Sequence, residues 1–281
     1  RDLTTGKERT IADVVAYGLS RNSKLLWYHT SAKKPVKDAK YGLFVQPLAG
    51  GEASCVLEGI AHFSSVQFDR SEQCLTFTSD KETFSDEKPV SDLYLWEGSG
   101  AGKRIAWAGG PGMPVGKRVA GGASFTRDGW MLTFEVQDGP TPEALPILPE
   151  DKVTLDLWNW RDGELQTAQQ KRGNADRNPR WTAVWQRASN KLTVLGDDSL
   201  RSLRPVGPEG KVMLASEGRA YDKEVTWDGR YNDVWLVDTA SGQRTKLLEH
   251  YRGSVSNSPG GKWLVWFDAN YHWQSYEVAT G

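Results

Sequence analysis

Ser23-Lys24-Leu25-Leu26-Trp27-Tyr28 is the first of five copies of one short phrase: a tight turn, a Leu or Met three residues past its anchor and, in four copies, an aromatic two residues further on. The others are Glu72-Gln73-Cys74-Leu75-Thr76-Phe77, Gly129-Trp130-Met131-Leu132-Thr133-Phe134, Gly210-Lys211-Val212-Met213-Leu214-Ala215 and Gly261-Lys262-Trp263-Leu264-Val265-Trp266. With anchors at residues 23, 72, 129, 210 and 261, the steps are 49, 57, 81 and 51 residues. A period of about fifty residues made of alternating strands is the sequence mark of a β-propeller. One four-stranded blade cannot cover both of its faces, so the repeat is stable only as packed blades. The expected fold is all-β, a single propeller domain over residues 1–281 with about five four-stranded antiparallel blades.

Each repeat divides into strands A to D, the phrase being strand B. Strand A is rich in small residues, as in Asp13-Val14-Val15-Ala16-Tyr17-Gly18, Ala120-Gly121-Gly122-Ala123-Ser124 and Gly253-Ser254-Val255-Ser256. Small side chains suit the innermost strand, where space tapers. Strand C alternates with period two, as in Asp92-Leu93-Tyr94-Leu95-Trp96 and Asp233-Val234-Trp235-Leu236-Val237-Asp238, a pattern that fits a strand packed between neighbouring blades. Glycine turns such as Ala49-Gly50-Gly51-Glu52, Ser99-Gly100-Ala101-Gly102 and Ala240-Ser241-Gly242-Gln243 lead to D.

The same C–D turn opens the chain at Asp2-Leu3-Thr4-Thr5-Gly6-Lys7 and closes it at Glu277-Val278-Ala279-Thr280-Gly281. The count is therefore a stray D strand, four complete blades and strands A to C of a fifth. Either the stray strand completes a small ring or the chain is an arc of a larger propeller; ends that read as cut mid-repeat favour the arc. The opening residue, Arg1, also reads as a cut or processed start. The long third repeat holds Pro140, Pro142, Pro146 and Pro149, expected as an extended loop, and a polar stretch from Asp162 to Asn178 that reads as a helical turn or as a mobile excursion.

Apolar content is only 38%, but thirteen Trp add much buriable area per residue. A net charge of −1 gives no electrostatic reason to expect a nucleic-acid partner, and no apolar run approaches the roughly 20 residues of a membrane span. Cys55 and Cys74 stand among apolar and β-branched neighbours and are expected to be small buried residues, able to pair only across facing strands.

In such blades the A–B and C–D turns share one face and the B–C and D–A connections the other. The B–C connections are long here: Ser31-Ala32-Lys33-Lys34, Asp80-Lys81-Glu82-Thr83-Phe84, Gln137 to Glu150 and Glu217 to Arg230. Long loops on a rigid scaffold are where binding usually resides. The fourth combines charge of both signs with Trp227 and Tyr231 and suits a peptide, with Glu217, Arg219, Tyr221 and Arg230 as leading contacts. The plain alternative is a solvated, salt-bridged loop.

Catalytic signatures are missing. Gly122-Ala123-Ser124-Phe125-Thr126 lacks the second glycine of a nucleophile elbow. His29, His62, His250 and His272 show no metal-pair spacing, and neither cysteine joins one in a zinc pattern, so no metal or other cofactor is expected. Each histidine is expected to be a partly buried strand or loop residue. Gly98-Ser99-Gly100-Ala101-Gly102-Lys103-Arg104 misses the phosphate-loop spacing, and Trp227-Asp228 falls at the wrong phase for a WD40 blade. The chain alone should hydrolyse nothing.

Ser258-Pro259-Gly260-Gly261-Lys262-Trp263-Leu264 followed by Tyr276-Glu277-Val278-Ala279-Thr280-Gly281 resembles the blade phrase of prolyl oligopeptidase family propellers. Asp228 to Asp238, Gly242 to Leu248 and Leu155-Asp156-Leu157-Trp158-Asn159-Trp160 are similar to a bacterial branch of dipeptidyl- and acylaminoacyl-peptidase-like enzymes. The resemblance covers essentially the whole chain, as an N-terminal propeller. It implies a serine peptidase cleaving short peptides, in which a C-terminal α/β-hydrolase domain outside this sequence supplies the triad and the propeller limits access. Some members bind the substrate's amino terminus through propeller acids, and Glu217 matches that role by position only. The implied place is periplasmic or secreted, with the cytoplasm also open. TolB-type propellers use similar phrases, so the competing reading is a non-catalytic propeller that binds proteins or peptides in a cell envelope; a polysaccharide-active propeller is a third.

Overall fold

All five copies of the phrase fall on the second strand of an antiparallel sheet in the computed structural model. It describes residues 6, 8, 10–32, 40–140, 148, 151, 153, 155 and 157–281, the Asn174 side chain apart. The first sheet runs β1 (Val14–Leu19), β2 (Leu25–Thr30), β3 (Gly42–Pro47), β4 (Ser54–Glu58), and the second β5 (Phe63–Phe68), β6 (Leu75–Ser79), β7 (Asp92–Trp96), β8 (Lys103–Ala106). In the third, β9 (Lys117–Val119) and β10 (Ser124–Phe125) both pair with β11 (Met131–Asp138), followed by β12 (Arg180–Gln186) and β13 (Lys191–Val194). The fourth is β14 (Leu203–Val206), β15 (Val212–Glu217), β16 (Asn232–Asp238), β17 (Arg244–Tyr251); the last is β18 (Ser256–Asn257), β19 (Trp263–Phe267), β20 (Trp273–Glu277). Consecutive four-stranded meanders of this kind are propeller blades.

The chain forms two compact units, Arg1–Trp107 with Gly121–Ser124, and Ala108–Ala120 with Phe125–Gly281. In the first, Leu43, Val45 and Val56 of one sheet pack with Phe63, Leu75, Phe77 and Trp96 of the next. Every residue of β6 and β7 is buried, as expected where both faces of a sheet are covered. In the second unit, Met131 and Val184 meet Met213 and Val237, while Leu214, Val234 and Leu236 meet Val255 and Leu264. The repeated Leu or Met is fully buried at Leu75, Leu132, Met213 and Leu264, whereas Leu26 is half-buried.

The turns explain the rest of the phrase. In the C–D hairpin of the fourth sheet, Asp238 Oδ1 accepts from the Ser241 N–H at 2.7 Å and its hydroxyl at 2.6 Å, the local bonding that makes Asp a turn former. A Cβ on Gly261, at φ +71°, would fall 2.4 Å from the Cα of Gly207, so successive A–B turns touch where only glycine fits. Small residues in strand A have the same cause: a Cβ on Gly122 would lie 2.2 Å from the Ser65 Cβ.

Several expectations change. Cys55 is exposed on β4 rather than buried, because it lies on the face of that strand away from Val56; Cys74 is buried, and the two form no disulfide. Of the two readings of Asp162 to Asn178 the helical one holds, though as more than a turn: the stretch contains helix α1 (Gln166–Arg177). Arg172 explains part of its stability, pairing with Glu164 two residues before the helix and facing Asp176 at 3.7 Å one turn after itself. Pro142, Pro146 and Pro149 lie outside the described residues, as do Lys33 and Lys34 and the opening segment 2–7 except Gly6. The described residues from Ile11 to Asp13 are not strand. Among the described residues no helix is long and apolar enough to cross a membrane.

Candidate functional site

The fourth B–C connection leaves β15 at Glu217, turns at Gly218 and runs as a 3₁₀ helix from Arg219 to Thr226 before returning at β16. Gly218 is required for that turn, since a Cβ there would meet the Asn232 side chain and the Tyr231 carbonyl oxygen, both at 2.7 Å. Glu217 sits directly across from Asp233 in the strand pair. These two acids anchor two different clusters.

Glu217 holds Arg219. The guanidinium donates from Nε to Oε1 at 2.7 Å and from Nη2 to Oε2 at 2.8 Å, and the Arg219 backbone N–H reaches Oε1 at 3.0 Å. Nη2 also donates to the Asp198 carbonyl oxygen. A bidentate fork of this kind fixes the side chain rather than leaving it to roam. Burial alone would raise the Glu217 carboxyl, but the bonds from Arg219 outweigh it and hold its pKa below the usual range. Hydrogen bonding to Glu217 correspondingly raises that of Arg219. Nη1 of Arg219 makes no hydrogen bond among the described residues.

Asp233 gathers the second cluster. Its Oδ1 accepts from the Tyr221 hydroxyl at 2.6 Å and from the His250 backbone N–H at 3.1 Å, and Lys246 Nζ lies 2.8 Å from Oδ2. Burial opposes ionisation of Asp233, yet these donors keep its pKa low. His250 has φ +45°, an unusual conformation for a non-glycine residue. Its ring stacks on Tyr231 at 3.9 Å, meets Tyr221 edge-on at 4.7 Å and places Nε2 at 2.6 Å from Glu224 Oε2. The 3₁₀ helix is thus strapped to β17 through one histidine.

The third B–C connection packs beside the fourth: a Cβ on Gly163 would lie 3.3 Å from the Asp222 Cβ. Between them opens a cleft of about 560 Å³ lined by Trp158, Trp160, Leu165, Lys223 and Thr226. Trp158 and Trp160 are 68% and 84% exposed.

Of the four residues singled out in the sequence, Glu217 and Arg219 come together as one unit, Tyr221 belongs to the Asp233 cluster, and Arg230 is exposed with no side-chain bond among the described residues. Loop composition alone did not reveal Asp233, Lys246 and His250, which lie on the following strands. Strand register could have found Asp233, which opens β16 opposite Glu217; nothing local marks His250. In the first unit the second B–C connection carries a smaller pair, with His62 Nδ1 2.7 Å from the buried Asp80. Among the described residues no three His, Cys, Asp or Glu side chains are placed to hold a metal ion.

No protein-family model matches the chain, and no curated protein does. Similar solved structures include the TolB of Acinetobacter baumannii (14% identity, TM-score 0.33, 86% of this chain and 47% of that one). They also include the β-propeller domain of the Trilobed protease of Pyrococcus furiosus (12%, 0.39, 97% and 73%) and the dipeptidyl peptidase 4 of Porphyromonas gingivalis (10%, 0.47, 99% and 38%). The chain thus spans less than half the length of two of the three. At these identities and TM-scores none of them assigns an activity to the chain, whose fold rests on its own sheet topology.

Proposed function

We propose that this chain is the propeller part of a serine peptidase of the prolyl oligopeptidase type, in which the B–C side of the blades receives a short peptide and a C-terminal α/β-hydrolase domain of the parent chain cuts it. The blade phrases at Ser258–Leu264 and Asp228–Asp238 support the family, and one observation supports the site. Arg219 is clamped by Glu217 while its Nη1 makes no hydrogen bond among the described residues, so a charged donor is pre-organised on the B–C side. In this reading Arg219 holds a peptide carbonyl or carboxylate, Glu217 fixes Arg219, and Tyr221 and Arg230 flank the path.

The role of Glu217 shifts accordingly. With both oxygens engaged it acts through Arg219, and capture of a substrate ammonium group would first have to break that fork. In the parent enzyme, Arg219→Ala is expected to lower kcat/KM on short peptides roughly tenfold or more, since a charge-assisted bond contributes about 1.5–3 kcal/mol when desolvated. Glu217→Gln, which keeps shape but loosens the fork, is expected to have a smaller effect, mainly on KM. Unchanged kinetics in both variants, with folding intact, would return this loop to a solvated surface feature. A parent coding sequence with no G-x-S-x-G elbow would favour a non-catalytic, TolB-like propeller that binds peptides or proteins.

A further inference from the structure

Three neighbouring strands of the third sheet carry a row of side chains at their B–C end. Gln137, near the end of β11, pairs in register with Arg118 of β9 on one side and with Arg180 of β12 on the other. Residues directly opposite in antiparallel strands share a face, so two guanidiniums flank one neutral amide. Arg118 is half-buried and bonds only neutral oxygens among the described residues. Its Nε donates to the Asp138 carbonyl oxygen at 3.2 Å, and its Nη2 donates to the Gln137 amide oxygen at 2.5 Å. Burial and the Arg180 charge hold its pKa below the ordinary arginine value. The nearby acids do not close the row. Glu135 meets Arg180 at 3.2 Å, and the Asp138 carboxylate is taken by Lys117 Nζ at 2.7 Å. Three cations thus share two carboxylates, and the cation left over is Arg118. Like charges on one face of a sheet cost stability, and an acid in place of Gln137 would relieve both arginines. The neutral amide leaves that charge for an anion from outside.

We propose that Arg118 and Arg180 together bind a carboxylate of the peptide, so that the chain favours short peptides bearing a free acid. The inference rests on the peptide-binding reading above and adds to it the charge of the ligand. The row lies on the same B–C side as Glu217 and Arg219, which belong to the sheet packed against this one. A planar carboxylate suits the site because each guanidinium presents paired donors that match its two oxygens. An ammonium group would instead add a further positive charge beside an arginine that has no carboxylate of its own.

Calorimetric titration of the 281-residue chain compares N-acetyl-Ala-Phe, its C-terminal amide and the C-terminal amide of N-acetyl-Glu-Phe. At least one of the two acids is expected to bind about fivefold more tightly than the neutral amide, the range of an exposed ion pair. The gain falls to N-acetyl-Ala-Phe when the site takes an α-carboxylate and to the Glu peptide when it takes an acidic side chain. Gln137→Glu supplies the carboxylate from within, so it should abolish the preference with no loss of Tm. Arg180→Met, at an exposed side chain, should abolish it while leaving affinity for the neutral amide unchanged. Equal affinity for all three ligands, or a preference that survives both substitutions, overturns this inference and leaves peptide binding standing. Failure of all three and of an unblocked tetrapeptide overturns the peptide reading and this inference with it.

Discussion

Asp92 shows how much one buried side chain sets by its surroundings. It opens β7, is almost fully buried, and faces Arg104 with Nη2 at 2.6 Å from Oδ2 in an ion pair too poorly aligned to be a good hydrogen bond. Burial raises its carboxyl to a pKa of about 6, and the neighbouring Arg104 offsets only part of that. The adjoining Tyr94 hydroxyl, pushed up to about 12 by burial and then by Asp92, makes no hydrogen bond among the described residues. The sign of the pH effect follows from the raised value. Below about pH 4 Asp92 is protonated in both folded and unfolded chains; above it the unfolded chain loses the proton first, so stability drains away until the folded carboxyl ionises near pH 6. Relative to Asp92→Asn, the wild-type chain should lose on the order of 2 kcal/mol between pH 4 and pH 7. Urea unfolding of both proteins across that range checks this, and parallel curves would contradict it.

At the scale of the element, strand B is where the sequence was most legible. The phrase works because its Leu or Met lands between two sheets while its turn residue accepts a positive φ, as Ser23, Glu72, Gly129, Gly210 and Gly261 all do. Met213→Ala should therefore cost about 2–5 kcal/mol, the range for emptying a packed core site. Leu26→Ala, at the half-buried copy, should cost about 1 kcal/mol or less. Equal losses on denaturation would contradict the difference in burial between the two copies. Elements outside the repeat were less legible. Helix α1 carries no amphipathic stripe and holds Gly173 inside it, so its polar sequence satisfied neither helix nor loop criteria. What sustains it is side-chain pairing among Glu164, Arg172 and Asp176, which no periodicity reports. Cys55 was misjudged for a related reason: alternation along a short strand gives two faces but not which of them a neighbour covers.

For the whole molecule, composition and repeat were enough to reach blades, and the topology of five successive sheets agrees with them. The candidate site was half legible. Loop length pointed to the B–C side and loop chemistry to Glu217, Arg219, Tyr221 and Arg230, but the Asp233–Lys246–His250 support and the cleft of Trp158 and Trp160 arise from pairing between segments far apart in sequence. Such pairings are products of register and loop packing, so a reading along the chain cannot assemble them. Peptide binding on this side of the second unit is tested most directly by amide hydrogen exchange of the chain with and without saturating N-acetyl-Ala-Phe. Exchange is expected to slow in 157–166 and 218–231, with the first unit unchanged. Peptide-dependent protection confined to the first unit, or to the A–B turns around Gly207 and Gly261, would contradict it.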